Sequence, residues 1–258
     1  MSGDGPAYTP EEMMAVAAAR RLEDGDTCFV GIGLPSKAAN LARRMHAPDC
    51  VLVYESGTIG AKPEHLPLSI GDGELAETAD AVVSVPEIFA YWLQPGRLDV
   101  GFLGAAQIDR HGNLNSTVIG DYGHPKVRLP GAGGAPEIGA CCKEIFVMLQ
   151  QSPRTFVERL DFLTTVGFGD GAGARESLGF PGAGVTQVIT DLGVLEPDPE
   201  TKELTLTTLH PGVKVEQAKA ATGWELRVAD ALREEAVPTE AELATLRALK
   251  TTNEEEAA

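Results

Sequence analysis

Short apolar runs ending in turn residues alternate with longer alanine-rich stretches, the rhythm of strands joined by helices. Thr9-Pro10-Glu11-Glu12 opens the first helix. Thr9 can cap it, Pro10 suits its first turn and Glu12 completes a capping box. Alanine-rich residues carry this helix to about Glu23, where Asp24-Gly25-Asp26 stops it. Thr27 to Val30 reads as a strand and Gly31-Ile32-Gly33-Leu34-Pro35 as a glycine-rich turn. Ser36 reads as the cap of a second helix ending near His46, and Cys50 to Tyr54 as the next strand. A strand, a helix and a second strand in this order indicate a parallel sheet.

Further strands are expected at Ala81–Val85, Val100–Leu103, Glu144–Leu149, Gln187–Asp191 and Glu203–Leu209, and helices at Pro86–Gln94, Val215–Ala221 and Thr239–Lys250. The fold class is α/β, an open, mostly parallel sheet flanked by helices. No internal repeat or low-complexity linker divides the chain, so residues 1–258 read as a single domain, with 252–258 a frayed acidic tail. Residues 104–139 break the rhythm. They are rich in Gly, Asn, Pro and His, and a segment this long with little apolar periodicity is usually functional.

Composition narrows the partners. With a formal net charge of -17, the chain lacks the clustered cations that nucleic acid or an anionic membrane surface requires. No apolar run reaches the roughly 20 residues that span a bilayer. Met1 to Pro10 has no secretory pattern. Cys28, Cys50 and the adjacent Cys141-Cys142 suit neither a zinc site nor a disulfide framework. Reduced thiols in the cytoplasm are the expectation.

Glu55 is the strongest chemical candidate. It follows the apolar run Cys50-Val51-Leu52-Val53 and precedes Gly57, which places a carboxylate at the carboxyl edge of the sheet, where open α/β folds put their chemistry. A carboxylate there can be a base, a metal ligand or a covalent nucleophile. His46, His65, His111, His124 and His210 are scattered, without metal-ligand spacing, so no metal is expected. Gly31-Ile32-Gly33 is too short a signal for a dinucleotide site. Gly131-Ala132-Gly133-Gly134-Ala135 can converge backbone amides on an oxyanion, or be a flexible loop. Asp109 to Asn113 reads as a hydrogen-bonded turn, and no Gly-x-Ser-x-Gly occurs. Alone, Glu55 is balanced between a site and a salt bridge. With the glycine loop it suits acyl transfer through an acyl-enzyme anhydride.

At Glu55-Ser56-Gly57 and Gly131 to Ala135 the chain resembles the β subunit of the class I CoA-transferases. Gly31 to Pro35, and Gly104 to Asp109 with Gly112 to Asn115, match as well. The resemblance runs from about Met13 to Arg233. Cys28 to Asn40, Leu68 to Asp80 and Lys126 to Gly131 carry it further, into a subgroup that acts on dicarboxylic acids.

It implies that Glu55 is the nucleophile and that the amides of Gly133 and Gly134 are the oxyanion donors. Gly31, Gly33, Ser56, Gly57, Gln107 and Asn115 would contact CoA or substrate. Succinyl-CoA and a dicarboxylic acid would be the substrates, with no separate cofactor. A separately encoded α subunit would complete the pocket. The alternatives are transfer to a different dicarboxylate, a CoA-ester hydrolase on the same fold, and a non-catalytic subunit.

Overall fold

The computed structural model describes residues 8–249; the expected acidic tail lies outside them. Ten strands form one sheet. Their spatial order is Arg227–Glu234, Leu204–Leu209, Gly193–Pro197, Val185–Ile189, Glu144–Met148, Val100–Leu103, Thr27–Phe29, Val51–Val53, Thr58–Ile59 and Ala81–Val82. The five from Val185–Ile189 to Val51–Val53 are parallel. Antiparallel pairings extend the sheet on both sides, and Arg227–Glu234 returns parallel at one edge.

The parallel strands are buried on both faces. Cys28, Leu52, Tyr54, Val100, Phe102, Phe146 and Met148 pack into one core. Their neighbours Phe29, Val53, Leu103, Ile145 and Val147 pack into the other. This is the two-residue alternation of a strand, with apolar residues on both sides. Helices Pro10–Ala19, Leu34–Met45 and Glu240–Ala248 pack together over the first face. Helix Ala135–Cys141 and the Ile88–Leu93 turn meet over the second.

The Pro10–Ala19 helix is capped as expected: Thr9 Oγ1 accepts from the Glu12 amide at 3.2 Å, and Glu12 Oε2 from the Thr9 amide at 2.8 Å. All residues from Met13 to Ala19 are buried, which is why this helix shows no polar face. It stops at Ala19 rather than Glu23. Arg20 and Arg21 turn away to bind the carboxylates of Glu235 and Glu242. Ser36 is not a cap either. Gly33, at φ +77°, starts the second helix, and Ser36 is buried within it. The expected Ala81–Val85 strand shortens to Ala81–Val82, because Ser84 turns the chain through a bond to Glu87. Gly193–Pro197, Arg227–Glu234 and two small hairpins, Gln107–Ile108 with Leu114–Asn115 and Val118–Gly120 with Pro125–Arg128, had no distinct apolar run to reveal them.

Arg20 fastens the two ends of the described chain. Its guanidinium forks onto Glu242 with two bonds of 2.7 Å and reaches Glu235 at 3.2 Å. Burial pushes the Glu242 carboxyl up, but the bonds from Arg20 and from Thr239 outweigh it and hold it at about 2. The ordinary value is 4.5, so this stabilisation is complete above about pH 5 and is lost as pH falls towards 2. Acid titration of stability in the wild type should show a loss of about 1–2 kcal/mol across that window. In Glu242→Gln that part of the acid limb should flatten. Identical acid limbs in the two proteins would remove this linkage.

Candidate active site

The site begins with strand register. Phe29 pairs with Val53, and the Val30 amide donates to the Val53 carbonyl at 2.9 Å. The loop at Gly31 and the turn at Glu55 therefore leave the sheet side by side. The chain adds Val51–Val53 on one side of Thr27–Phe29 and Val100–Leu103 on the other. Ligands bind at such a switch point in open α/β sheets, beyond the carboxyl ends of the strands.

Glu55 and Ser56 are the central residues of a tight turn. The Gly57 amide donates to the Tyr54 carbonyl and the Tyr54 amide to the Thr58 carbonyl, each at 3.0 Å. Gly57 sits at φ +113°, and its carbonyl accepts from the Val83 amide at 2.9 Å. A Cβ on Gly57 would lie 2.0 Å from the Val83 carbonyl oxygen. Below the turn Tyr54 is fully buried, its hydroxyl 3.3 Å from Ser36 Oγ. Asn40 donates to the Ser36 carbonyl at 3.0 Å. Burial pushes the Tyr54 phenol up, with Ser36 and Asn40 opposing, so it stands as a neutral hydrogen-bonded post. Ser36 thus supports the turn from within its helix.

The glycine loop reaches the same point from the far side of the chain. Ser116 Oγ donates to the Gly131 carbonyl, and the Gly131 amide to the Ser116 carbonyl, both at 2.9 Å. Gly131 and Gly133 take φ of +103° and +51°, conformations glycine adopts freely. Gly134 is buried and begins helix Ala135–Cys141. A Cβ on Gly134 would lie 3.3 Å from Glu55 Oε1 and 2.9 Å from the Phe89 ring tip.

Glu55 and Gly134, far apart in sequence, are thereby brought together. Among the described residues, the amides of Ala132, Gly133 and Gly134 have no hydrogen-bond acceptor, and the half-buried Glu55 carboxylate has no hydrogen-bond or ion-pair partner. Ser56 Oγ is buried and also unpartnered.

The other expected contacts divide. Gly31 and Gly33 border the turn, with open space where a Cβ would stand. Gly57 is required by the turn, where the Val83 carbonyl leaves no room for a Cβ. Gln107 and Asn115 face each other instead of Glu55. Asn115 Nδ2 donates to Gln107 Oε1 at 2.8 Å and to the Val118 carbonyl at 2.7 Å, while Gln107 Nε2 donates to Asp161 at 3.0 Å. Both are buried. These bonds brace the base of the loop segment.

Asp109 accepts from the amides of His111 and Asn113, the polar turn expected of it. A cavity of about 880 Å³ beside that turn is bounded by Arg110, Glu158, Phe162 and Leu178, and Glu55 is not among its walls. Burial pushes the Cys142 thiol up to about 12 and that of Cys141 in the same direction, which disfavours thiolate chemistry there.

Two contributors escaped sequence reading. Phe89 carried only the signal of an apolar helix. Arg175, 4% exposed, donates to the carbonyls of Gly139 and Gly167 at 3.0 Å and of Gly182 at 3.2 Å. It thereby clamps the far end of the helix that carries Gly134. Neither charge pattern nor spacing marks such a carbonyl-collecting arginine.

An α/β sheet whose carboxyl-edge turn sets an unpaired carboxylate against a glycine loop suits acyl transfer. Residues 11–221 match the coenzyme A transferase family model, and the chain belongs to that family. It is 64% identical over 244 residues to the β subunit of 3-oxoadipate CoA-transferase from Pseudomonas knackmussii, covering 95% of this chain and 94% of the relative. It is 40% identical to the β subunit of glutaconate CoA-transferase from Acidaminococcus fermentans, covering 89% and 88%. The crystal structure of glutaconate coenzyme A-transferase from that organism superposes with a TM-score of 0.90 at 35% identity, covering 97% of this chain and 98% of the other.

Proposed function

We propose that this chain is the β subunit of a CoA-transferase that moves CoA from succinyl-CoA to 3-oxoadipate in aromatic-compound degradation, with Glu55 as covalent nucleophile. One observation carries the chemistry: a partnerless, half-buried carboxylate set against a loop of unengaged amides. A structural glutamate in that position would be expected to have a cation or a donor. The 64% identity to one chain of a 3-oxoadipate CoA-transferase supports the choice of acid.

Glu55 attacks the succinyl thioester carbonyl, forming a mixed anhydride and releasing CoA thiolate. The thiolate attacks the glutamyl carbonyl, succinate departs, and CoA remains on Glu55 as a thioester. The carboxylate of 3-oxoadipate then runs the two steps in reverse. A carboxylate is a weak nucleophile, so rate comes from placement and partial desolvation. The amides of Gly133 and Gly134 stabilise each oxyanion, and the Ser56 hydroxyl offers one more donor. The thioester energy passes from acid to acid, so no separate cofactor enters.

The site is open on this chain. Exposed Ile32, Val82, Val85 and Tyr91 stand on the segments bordering the turn, which supports closure by an α subunit. No helix among the described residues is long and apolar enough to cross a membrane, and four free cysteines accord with a reducing cytoplasm.

The test is an acceptor panel. With the α/β complex and succinyl-CoA, 3-oxoadipate should give a kcat/KM at least about tenfold above that of glutaconate, adipate or acetoacetate, a difference of roughly 1.4 kcal/mol in the transition state. A higher value for glutaconate would move the assignment to the function of the 40%-identical relative.

A further inference from the structure

The ring of Phe89 and the Glu55 carboxylate approach the same point above Gly134, and Phe89 stands in an unusual stretch of backbone. Ile88–Leu93 is a π-helix, a wider turn than the α-helix. The Gln94 amide skips to the Phe89 carbonyl at 2.9 Å, and that of Arg97 to Trp92 at 3.0 Å. Such turns are rare, carry a cost in regular helix geometry, and cluster at functional sites. Phe89 lies in this wider turn. Its ring stands edge-on to Phe29 on the adjoining strand, centroids 6.3 Å apart at 67°. Its tip comes within contact distance of the point where Glu55 Oε1 also arrives, above Gly134.

A side-chain bond from Gln94 to Glu137 ties this turn to the first turn of the glycine-loop helix. Three distant segments thus meet at one spot, and the π-turn contributes only an apolar ring to it. Phe89 is half-buried.

We infer that Phe89 is the residue that makes this site a transferase rather than a hydrolase, by excluding water from the acylated Glu55. This rests on Glu55 as nucleophile. Both covalent intermediates are prone to hydrolysis. In the anhydride, water oxygen bonds to the succinyl carbon, the C–O bond to Glu55 breaks, and water gives up a proton as the glutamate leaves. In the thioester, water oxygen bonds to the Glu55 carbonyl carbon, the C–S bond breaks, and the proton goes to the CoA thiolate. Either way a CoA ester and water become an acid and free CoA. An apolar ring beside the carboxylate offers water no hydrogen bond, and exclusion of water suppresses this kind of side reaction.

The experiment measures free CoA released from succinyl-CoA without acceptor acid, against transfer to the acceptor, in α/β complexes. Phe89→Ala should raise the ratio of hydrolysis to transfer on the order of tenfold or more, and Phe89→Leu should fall between it and the wild type. A merely structural role would lower both rates together and leave the ratio unchanged, which overturns the inference. If Phe89→Ala does not fold, Phe89→Leu decides by the same ratio. Glu55→Ala in the wild-type background separates the two ideas. Its inactivity with an unchanged Phe89 ratio defeats only the role of the ring, whereas its full activity defeats the nucleophile and this inference with it.

Discussion

Glu55→Ala should abolish CoA transfer, by about a thousandfold or more in kcat, while leaving the protein as stable as before. Removing the nucleophile removes the covalent route, and residual binding and oxyanion donors cannot restore it. The stability expectation comes from the same geometry. Glu55 has no ion pair or hydrogen bond among the described residues, so truncation breaks no polar bond and should shift unfolding by less than about 0.5 kcal/mol. Few residues combine a large loss of activity with so small a structural debt.

Incubating the wild-type complex with succinyl-CoA and then borohydride should reduce the thioester, with the mass loss located at Glu55. Cys28→Ser and Cys50→Ser should keep transfer activity. Full transfer in Glu55→Ala would refute the covalent mechanism. Loss in a cysteine variant with Glu55→Ala unaffected would point to thiol chemistry.

The sheet's parallel centre was legible because its strands are short apolar runs closed by glycine or acidic turns, as in Val51–Val53 before Glu55. The first helix announced itself through its cap, Thr9 with Glu12; the capping box of Thr239 with Glu242 emerged only in the structure. Gly193–Pro197 and Arg227–Glu234 were not legible. The latter is mostly exposed and charged, and it is a strand only because Leu204–Leu209 offers it hydrogen-bonding groups. Glu55 and the glycine loop could each be read as chemistry, but their meeting is tertiary: it depends on Ser116 holding Gly131 and Arg175 holding the helix beyond. Gln107 and Asn115 show bonds that the sequence did not announce. Polar residues in a functional-looking loop can bond to one another and to neighbouring segments. Phe89 could not be read at all, since an apolar residue in a helical pattern looks like core until the tertiary structure sets its ring near Gly134 and Glu55.

Gly57→Ala should damage the protein more broadly than loss of the nucleophile beside it. At φ +113° an L-residue is strained wherever it stands. Here there is also no space: the new Cβ would lie 2.0 Å from the Val83 carbonyl oxygen and 3.1 Å from its carbon. Those atoms are backbone, so no side-chain rotation relieves the clash. The turn and the edge strand must separate, which strains the bond from the Val83 amide to the Gly57 carbonyl and the Thr58–Val82 pairing beyond it.

Strain and lost bonds together should cost about 3 kcal/mol of stability. Glu55 lies two residues away, and a displacement of about 1 Å is enough to cost on the order of a hundredfold in transfer rate. Gly31→Ala is the matching control for stability. It lies on the neighbouring loop with nothing within 4 Å of its would-be Cβ, so its denaturation midpoint should stay near that of the wild type. Equal unfolding free energies for the two variants would mean that the turn relaxes without moving the edge strand. Glu55 would then be held from the Tyr54–Ser36 side alone, and the glycine of the Glu55-Ser56-Gly57 motif would owe its place to ligand contact rather than to the sheet.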